Sequence, residues 1–99
     1  MIKLLMSWDI LEGKESEYSD FIVHDFIPRC KRLGLMGMQF WYTSFGDCEQ
    51  IQASGKAPTI DQMKIILSSE EWSNLVKRLD DYVTEFNMKV IRAGDGFQL

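Results

Sequence analysis

Gly37-Met38-Gln39-Phe40-Trp41-Tyr42-Thr43-Ser44-Phe45-Gly46 is the stretch whose reading decides the fold. Two glycines bound a run rich in aromatic residues, which favours a strand. Both of its alternating sets are apolar, one through Met38, Phe40 and Tyr42 and the other through Trp41 and Phe45, as in a strand covered on two sides. A chain of 99 residues buries only about two-thirds of the surface that its unfolded form exposes, so two covers are difficult for it to supply alone.

Working outward, Gly46-Asp47 reads as a turn into a shorter strand, Glu49 to Ala53, which makes a hairpin. On the upstream side Gly34 is a left-handed helix stop, with Lys31 and Arg32 in the last turn and Glu15 and Glu17 in the first, as the helix dipole favours. Tyr18, Ile22, Phe26 and Leu33 share one side of that helix, and Pro28, which has no N–H for the carbonyl of His24, predicts a kink or break. Before it, Ile2, Leu4, Met6 and Trp8 alternate with Lys3, Leu5, Ser7 and Asp9 as a first strand.

Downstream, Gly55 to Pro58 reads as a loop, and Thr59 with Gln62 as a capping box for a short helix reaching Leu67. Ser68 with Glu71 repeats that spacing, and Trp72, Leu75, Val76, Leu79 and Val83 follow on one helical face. Phe86, Met88 and Val90 against Asn87, Lys89 and Ile91 make a fourth strand, and Gly94-Asp95-Gly96 turns the chain into Phe97-Gln98-Leu99. The order strand, helix, strand, strand, helix, strand is that of an α+β, ferredoxin-like βαββαβ domain over residues 1–99, with both helices on one face of a four-stranded antiparallel sheet.

The other face carries Lys3, Leu5, Ser7, Gln50 and Gln52, with either Trp41 and Phe45 or Phe40 and Tyr42. That set is too apolar for open water and too polar for a dry core, and the aromatic second strand lies at an exposed edge. A homodimer that closes the two sheets into a barrel is therefore expected.

Composition narrows the function classes. Forty-five per cent hydrophobic and 26 per cent charged residues place the chain among ordinary globular proteins. A net charge of -4, with no basic run longer than Lys31-Arg32, argues against nucleic acid and anionic membranes as partners. The first residues reach Ser7, Trp8 and Asp9 too soon for a signal peptide, no stretch is long enough to span a bilayer, and the two cysteines read as reduced thiols, so a cytoplasmic protein is expected. Cys30, Cys48 and His24 have no zinc-ligand spacing and no Gly-rich phosphate loop is present, so neither metal nor cofactor is expected.

Gly13-Lys14-Glu15 with Glu17-Tyr18 and Phe21, then Pro28, Leu33-Gly34, Ser69-Glu70-Glu71-Trp72 with Leu75 and Leu79, and the closing Phe97-Gln98-Leu99 resemble the dimeric α/β-barrel superfamily, to which NIPSNAP-like proteins and antibiotic-biosynthesis monooxygenases belong. The resemblance covers nearly the whole chain and implies this fold and dimerisation. It implies a range of activities, among them cofactor-independent oxygenases, lactone isomerases and haem-degrading enzymes. The haem-degrading members use an Asn, Trp and His set, whereas here the only histidine lies on the first helix and the first strand has no Asn, so that set does not carry over.

His24 is the candidate catalytic residue, a proton relay oriented by Asp20 or Asp25; the competing reading is a solvated histidine grouped with Glu17 and Asp20. Tyr18, Trp41, Tyr42 and Trp8 are the candidate ligand-binding residues for a flat hydrophobic or aromatic compound, against a reading of them as core and interface anchors. Cys30, beside Arg29 and Lys31, is a weaker candidate for a reactive thiolate. Two functions follow: a homodimeric barrel that binds or converts a small hydrophobic compound, or a non-catalytic module whose mixed face serves assembly alone. An enclosed cavity with convergent polar tips separates the first from the second.

Overall fold

Strand β1 (Ile2–Ile10) buries Ile2, Leu4, Met6 and Trp8 and leaves Lys3, Leu5, Ser7 and Asp9 half-buried, so its period-two pattern sorts into two faces with different surroundings. This computed structural model describes residues 1–45 and 48–92, with backbone alone at 44, 45, 48 and 49. The expected turn at Gly46-Asp47, the turn at Gly94-Asp95-Gly96 and the closing Phe97-Gln98-Leu99 lie outside the described residues.

After β1 come α1 (Glu15–Phe21), a wider helical turn over Ile22–Phe26, α2 (Ile27–Leu33), β2 (Met36–Phe45), β3 (Cys48–Ala57), α3 (Ile60–Leu67), α4 (Glu70–Leu79) and β4 (Val83–Arg92). The strands form one sheet in the order β2-β3-β1-β4, each neighbour antiparallel. This is the α+β ferredoxin-like order, with α3 and α4 together filling the place of the second helix. Phe21, Ile22, Phe26, Met63, Ile66, Trp72, Leu75 and Leu79 from the helices meet Ile2, Leu4, Met6, Trp8, Ile51 and Ala53 from the sheet in one core.

Four local features differ from the pattern in the sequence, each for a physical reason. Pro28 does not break the helical run but follows a widened turn in it: Phe21, Ile22, Phe26 and Ile27 all keep right-handed helical angles, and the Ile27 N–H reaches back five residues to the Ile22 carbonyl. That widened turn lets Pro28 fall in the first turn of α2, where a missing N–H is harmless. The cap of α4 is Ser69 rather than Ser68; Ser69 Oγ accepts from the Trp72 N–H at 3.1 Å, while the Ser68 hydroxyl donates back to the Lys64 carbonyl at 2.7 Å.

Gly55 is part of β3, not of a loop, and pairs with Leu4. A Cβ there would lie 2.7 Å from Met38 Sδ and 3.4 Å from Leu35 Cβ, so glycine serves close packing in a strand interior. Val83 belongs to β4, opposite Ile10, and not to the α4 stripe, because the helix ends at Leu79 and the Tyr82 N–H bonds the Leu79 carbonyl.

The bulge between Met36 and Gln39 fixes which side each aromatic of β2 takes. Beyond it Phe40 pairs with Ala53, Trp41 with Gln52 and Tyr42 with Ile51. Ala53 and Ile51 belong to the core, so Phe40 and Tyr42 share the helix-covered side and Trp41 shares the open side with Ser7 and Gln52.

Candidate functional site

Trp8 is the centre of the buried face. Its ring, 0% exposed, meets Tyr18, Phe26 and Phe40 edge-on at 6.4, 5.9 and 6.4 Å and stacks on Phe86 at 6.0 Å. A slip in the β1–β4 register between Ser7 and Asp9, with Glu85 at φ 59°, gives Phe86 its place over that ring. Trp8 Nε1–H donates to the Tyr18 hydroxyl oxygen at 2.9 Å, which satisfies a buried donor that the core could not otherwise hold.

Tyr18 sits where this core reaches a groove of about 210 Å³ between α1 and the β2 edge, walled by Ser19, Ile22, Val23, Phe40, Tyr42 and Ile51. Tyr18 and Ile22 are four residues apart and so share the inner side of the helix. The phenol oxygen of Tyr18 accepts from Trp8, leaving its own O–H to donate. Burial raises its pKa above the usual 10.0, only partly offset by the Trp8 hydrogen bond, so the group is a neutral donor at physiological pH.

The candidate residues divide among four places. Tyr18 and Tyr42 line the groove; Trp41 borders it through the strand, with its side chain on the opposite face and 46% exposed. Trp8 lies beneath the groove in the sealed core and meets two of its walls, Tyr18 and Phe40. His24 is elsewhere, exposed over a separate hollow with Glu17, Asp20, Asp25, Arg78 and Tyr82. Its Nδ1–H donates to the Asp20 backbone carbonyl at 3.1 Å, since a carbonyl only accepts. The Asp25 carboxylate pairs with Arg78 at 3.3 Å and with Arg29 at 3.9 Å, not with the imidazole.

Cys30 is fully buried, and burial pushes its thiol up to about 12, so Arg29 and Lys31 do not produce a thiolate there. The side chain of Cys48 lies outside the described residues. Among the described residues no three His, Cys, Asp or Glu side chains are grouped to hold a metal ion, and no helix is long and apolar enough to cross a membrane. Ser19, Ile22, Val23, Phe40 and Ile51 are the groove residues that the sequence reading passed over. The helical spacing of Ile22 from Tyr18 was the available signal; Ile51 becomes a neighbour only through the β2–β3 register.

No family model matches the sequence, and no curated protein matches it. Solved structures do match. An antibiotic biosynthesis monooxygenase superposes with a TM-score of 0.72 at 10% identity, over 96% of this chain and 100% of that one. A NIPSNAP domain protein from Burkholderia xenovorans gives 0.68 at 13% identity, over 100% and 99%, and a NIPSNAP family protein from Agrobacterium tumefaciens 0.66 at 18%, over 95% and 93%. The chain has their fold. At these identities the likeness is one of architecture, and the chemistry has to be argued from the residues present.

Proposed function

We propose that the chain is a homodimer that binds a small hydrophobic or aromatic compound in the groove between α1 and β2, with cofactor-independent, monooxygenase-like or isomerase-like conversion as its chemistry. The observation that carries the binding site is an apolar groove ending on a hydrogen-bonded Trp8–Tyr18 pair. Its volume of about 210 Å³ sets the scale of the ligand. A dry cavity of about 150 Å³ holds benzene, so this one suits a single ring with one or two substituents. The Tyr18 O–H supplies the one polar contact from the buried end, to a carbonyl or phenolate oxygen of that ring compound.

The monooxygenase name of a structural neighbour supports oxygenase-like chemistry. The homodimer is supported by the open sheet face, where Trp41, Leu5 and Ile91 keep apolar surface without a cover from the helices. His24 has no part in this reading, because its hollow lies on the other side of the helix from Tyr18.

Titration with single-ring phenols and aromatic ketones, followed by the methyl resonances of Ile22 and Ile51, tests the site. Saturable movement of those methyls, weakened in Tyr18→Phe, is the expected result; no movement with any compound would overturn it. One feature favours the second reading, a binding or assembly module without turnover: among the described residues, burial raises the pKa of both Tyr18 and Cys30, away from an activated base or nucleophile. Saturable binding without product formation from any bound compound is its signature.

A further inference from the structure

The open face of the sheet segregates positive charge. Lys3 of β1 stands directly opposite Lys56 of β3, and Lys89 of β4 stands opposite Leu5, two residues along from Lys3. Like charges directly opposite on a ladder repel. Among the described residues none of these three lysines has an ion-pair partner. No Asp or Glu occupies this face from Lys3 to Ser7 of β1, or at the β3 and β4 positions paired with them, although the chain as a whole carries a net charge of -4.

Beside Lys89 the face holds a cavity of about 370 Å³, lined by Leu5, Ser7, Gln52, Asn87 and Lys89. Those side chains supply one ammonium, two amides and a hydroxyl around one apolar wall, a set rich in donors and without a carboxylate. In the next row, opposite Leu5, Ser54 is 0% exposed and its hydroxyl has no hydrogen-bond partner among the described residues. Ser54 does not line the cavity and plays no part in it.

We propose that this cavity binds a small organic anion, a carboxylate or phosphate group on a compact body. Lys89 pairs the charge, Ser7, Gln52 and the Asn87 N–H not already given to the Glu85 carbonyl donate hydrogen bonds to the anionic oxygens, and Leu5 packs against the body of the ligand. Lys3 and Lys56 contribute their field to attract the anion into the face. The site is on the opposite side of the sheet from the Tyr18 groove and does not rest on that reading. It needs no second copy; where two copies meet over this face, the anion is enclosed between them.

The test follows the side-chain amide resonances of Gln52 and Asn87 during titration with inorganic phosphate and, separately, with benzoate. Saturable movement with at least one probe is expected, weakened by added salt and about tenfold weaker in Lys89→Gln, as loss of a charge-assisted contact implies. Lys77→Gln, on the exposed side of α4, keeps wild-type affinity. Response to phosphate alone assigns a phosphoryl group, and response to benzoate alone a carboxylate. No saturable movement with either probe, or equal affinity in Lys89→Gln, overturns the site. Movement of the Ile22 and Ile51 methyls without the amides places the ligand in the groove and overturns it as well. If Lys89→Gln loses its folded spectrum, Asn87→Ala carries the same expectation.

Discussion

The two faces of one sheet have opposite finishes. Around Trp8 the polar groups are matched and the apolar ones sealed: the indole N–H has the Tyr18 oxygen, and four aromatic rings enclose it, while at the margins of the same face Tyr42, Met88 and Val90 stay exposed. On the side of Leu5, one residue along in sequence from Leu4, lysines face each other, a serine hydroxyl is buried without a partner among the described residues and Trp41 is half-exposed. Alternation along the same strands therefore covers the middle of one surface within the chain and leaves the other open. A protein of this size has helices enough for the centre of one face.

The largest expected effect breaks the finished side. Trp8→Ala removes the ring at the centre of the core and costs about 3–5 kcal/mol, against a total stability of about 5–15 kcal/mol for a domain. Urea denaturation should show a much lower midpoint, whereas Leu5→Ala on the open side shifts it far less. Equal losses from the two variants would erase the distinction.

Tyr18→Phe is the subtler cut on the same side. It leaves the Trp8 N–H buried without an acceptor and costs about 1–3 kcal/mol, read as a lower urea midpoint with an unchanged slope. Next comes pH. The Cys30 thiol stays protonated in the folded chain up to about 12 but ionises near 9.0 once unfolded. Above pH 9 the unfolded chain therefore releases a proton that the folded chain keeps, and stability falls between pH 9 and 12. At pH 10 the loss is about 1 kcal/mol, absent in Cys30→Ala, and Tyr18 adds in the same direction above its ordinary 10.0. Below pH 8 neither group contributes a slope.

Ser54→Ala is the smallest effect and carries the opposite sign. Because the hydroxyl has no partner among the described residues, removing it should leave stability within about 0.5 kcal/mol of wild type or raise it. A loss as large as that of Tyr18→Phe would show that something covering the open face satisfies this oxygen in solution.

The sequence made the layer arrangement legible because it is written in periods: two along β1, three to four along α4. What escaped it was register and close approach. Gly55 looks like loop punctuation until Leu35 and Met38 are placed against it, and Val83 fits a helical stripe until Leu79 ends the helix. The sides taken by Trp41 and Tyr42 hang on one extra residue between Met36 and Gln39, which no alternation pattern reveals. The same bulge decides the groove: it brings Phe40 and Tyr42 to Tyr18 and sends Trp41 to the other face. His24 could be set apart from Tyr18 by helical angle alone, whereas the role of Trp8 as the support of Tyr18 needed the side-chain hydrogen bond.

Sedimentation velocity of the purified chain at micromolar concentration, with iodide quenching of Trp41 in a Trp72→Phe background, tests the unfinished face most directly. A species of two chains with Trp41 shielded from iodide is the predicted result. A stable single chain whose Trp41 is quenched freely, leaving Leu5 and Ile91 open to water, would contradict the account.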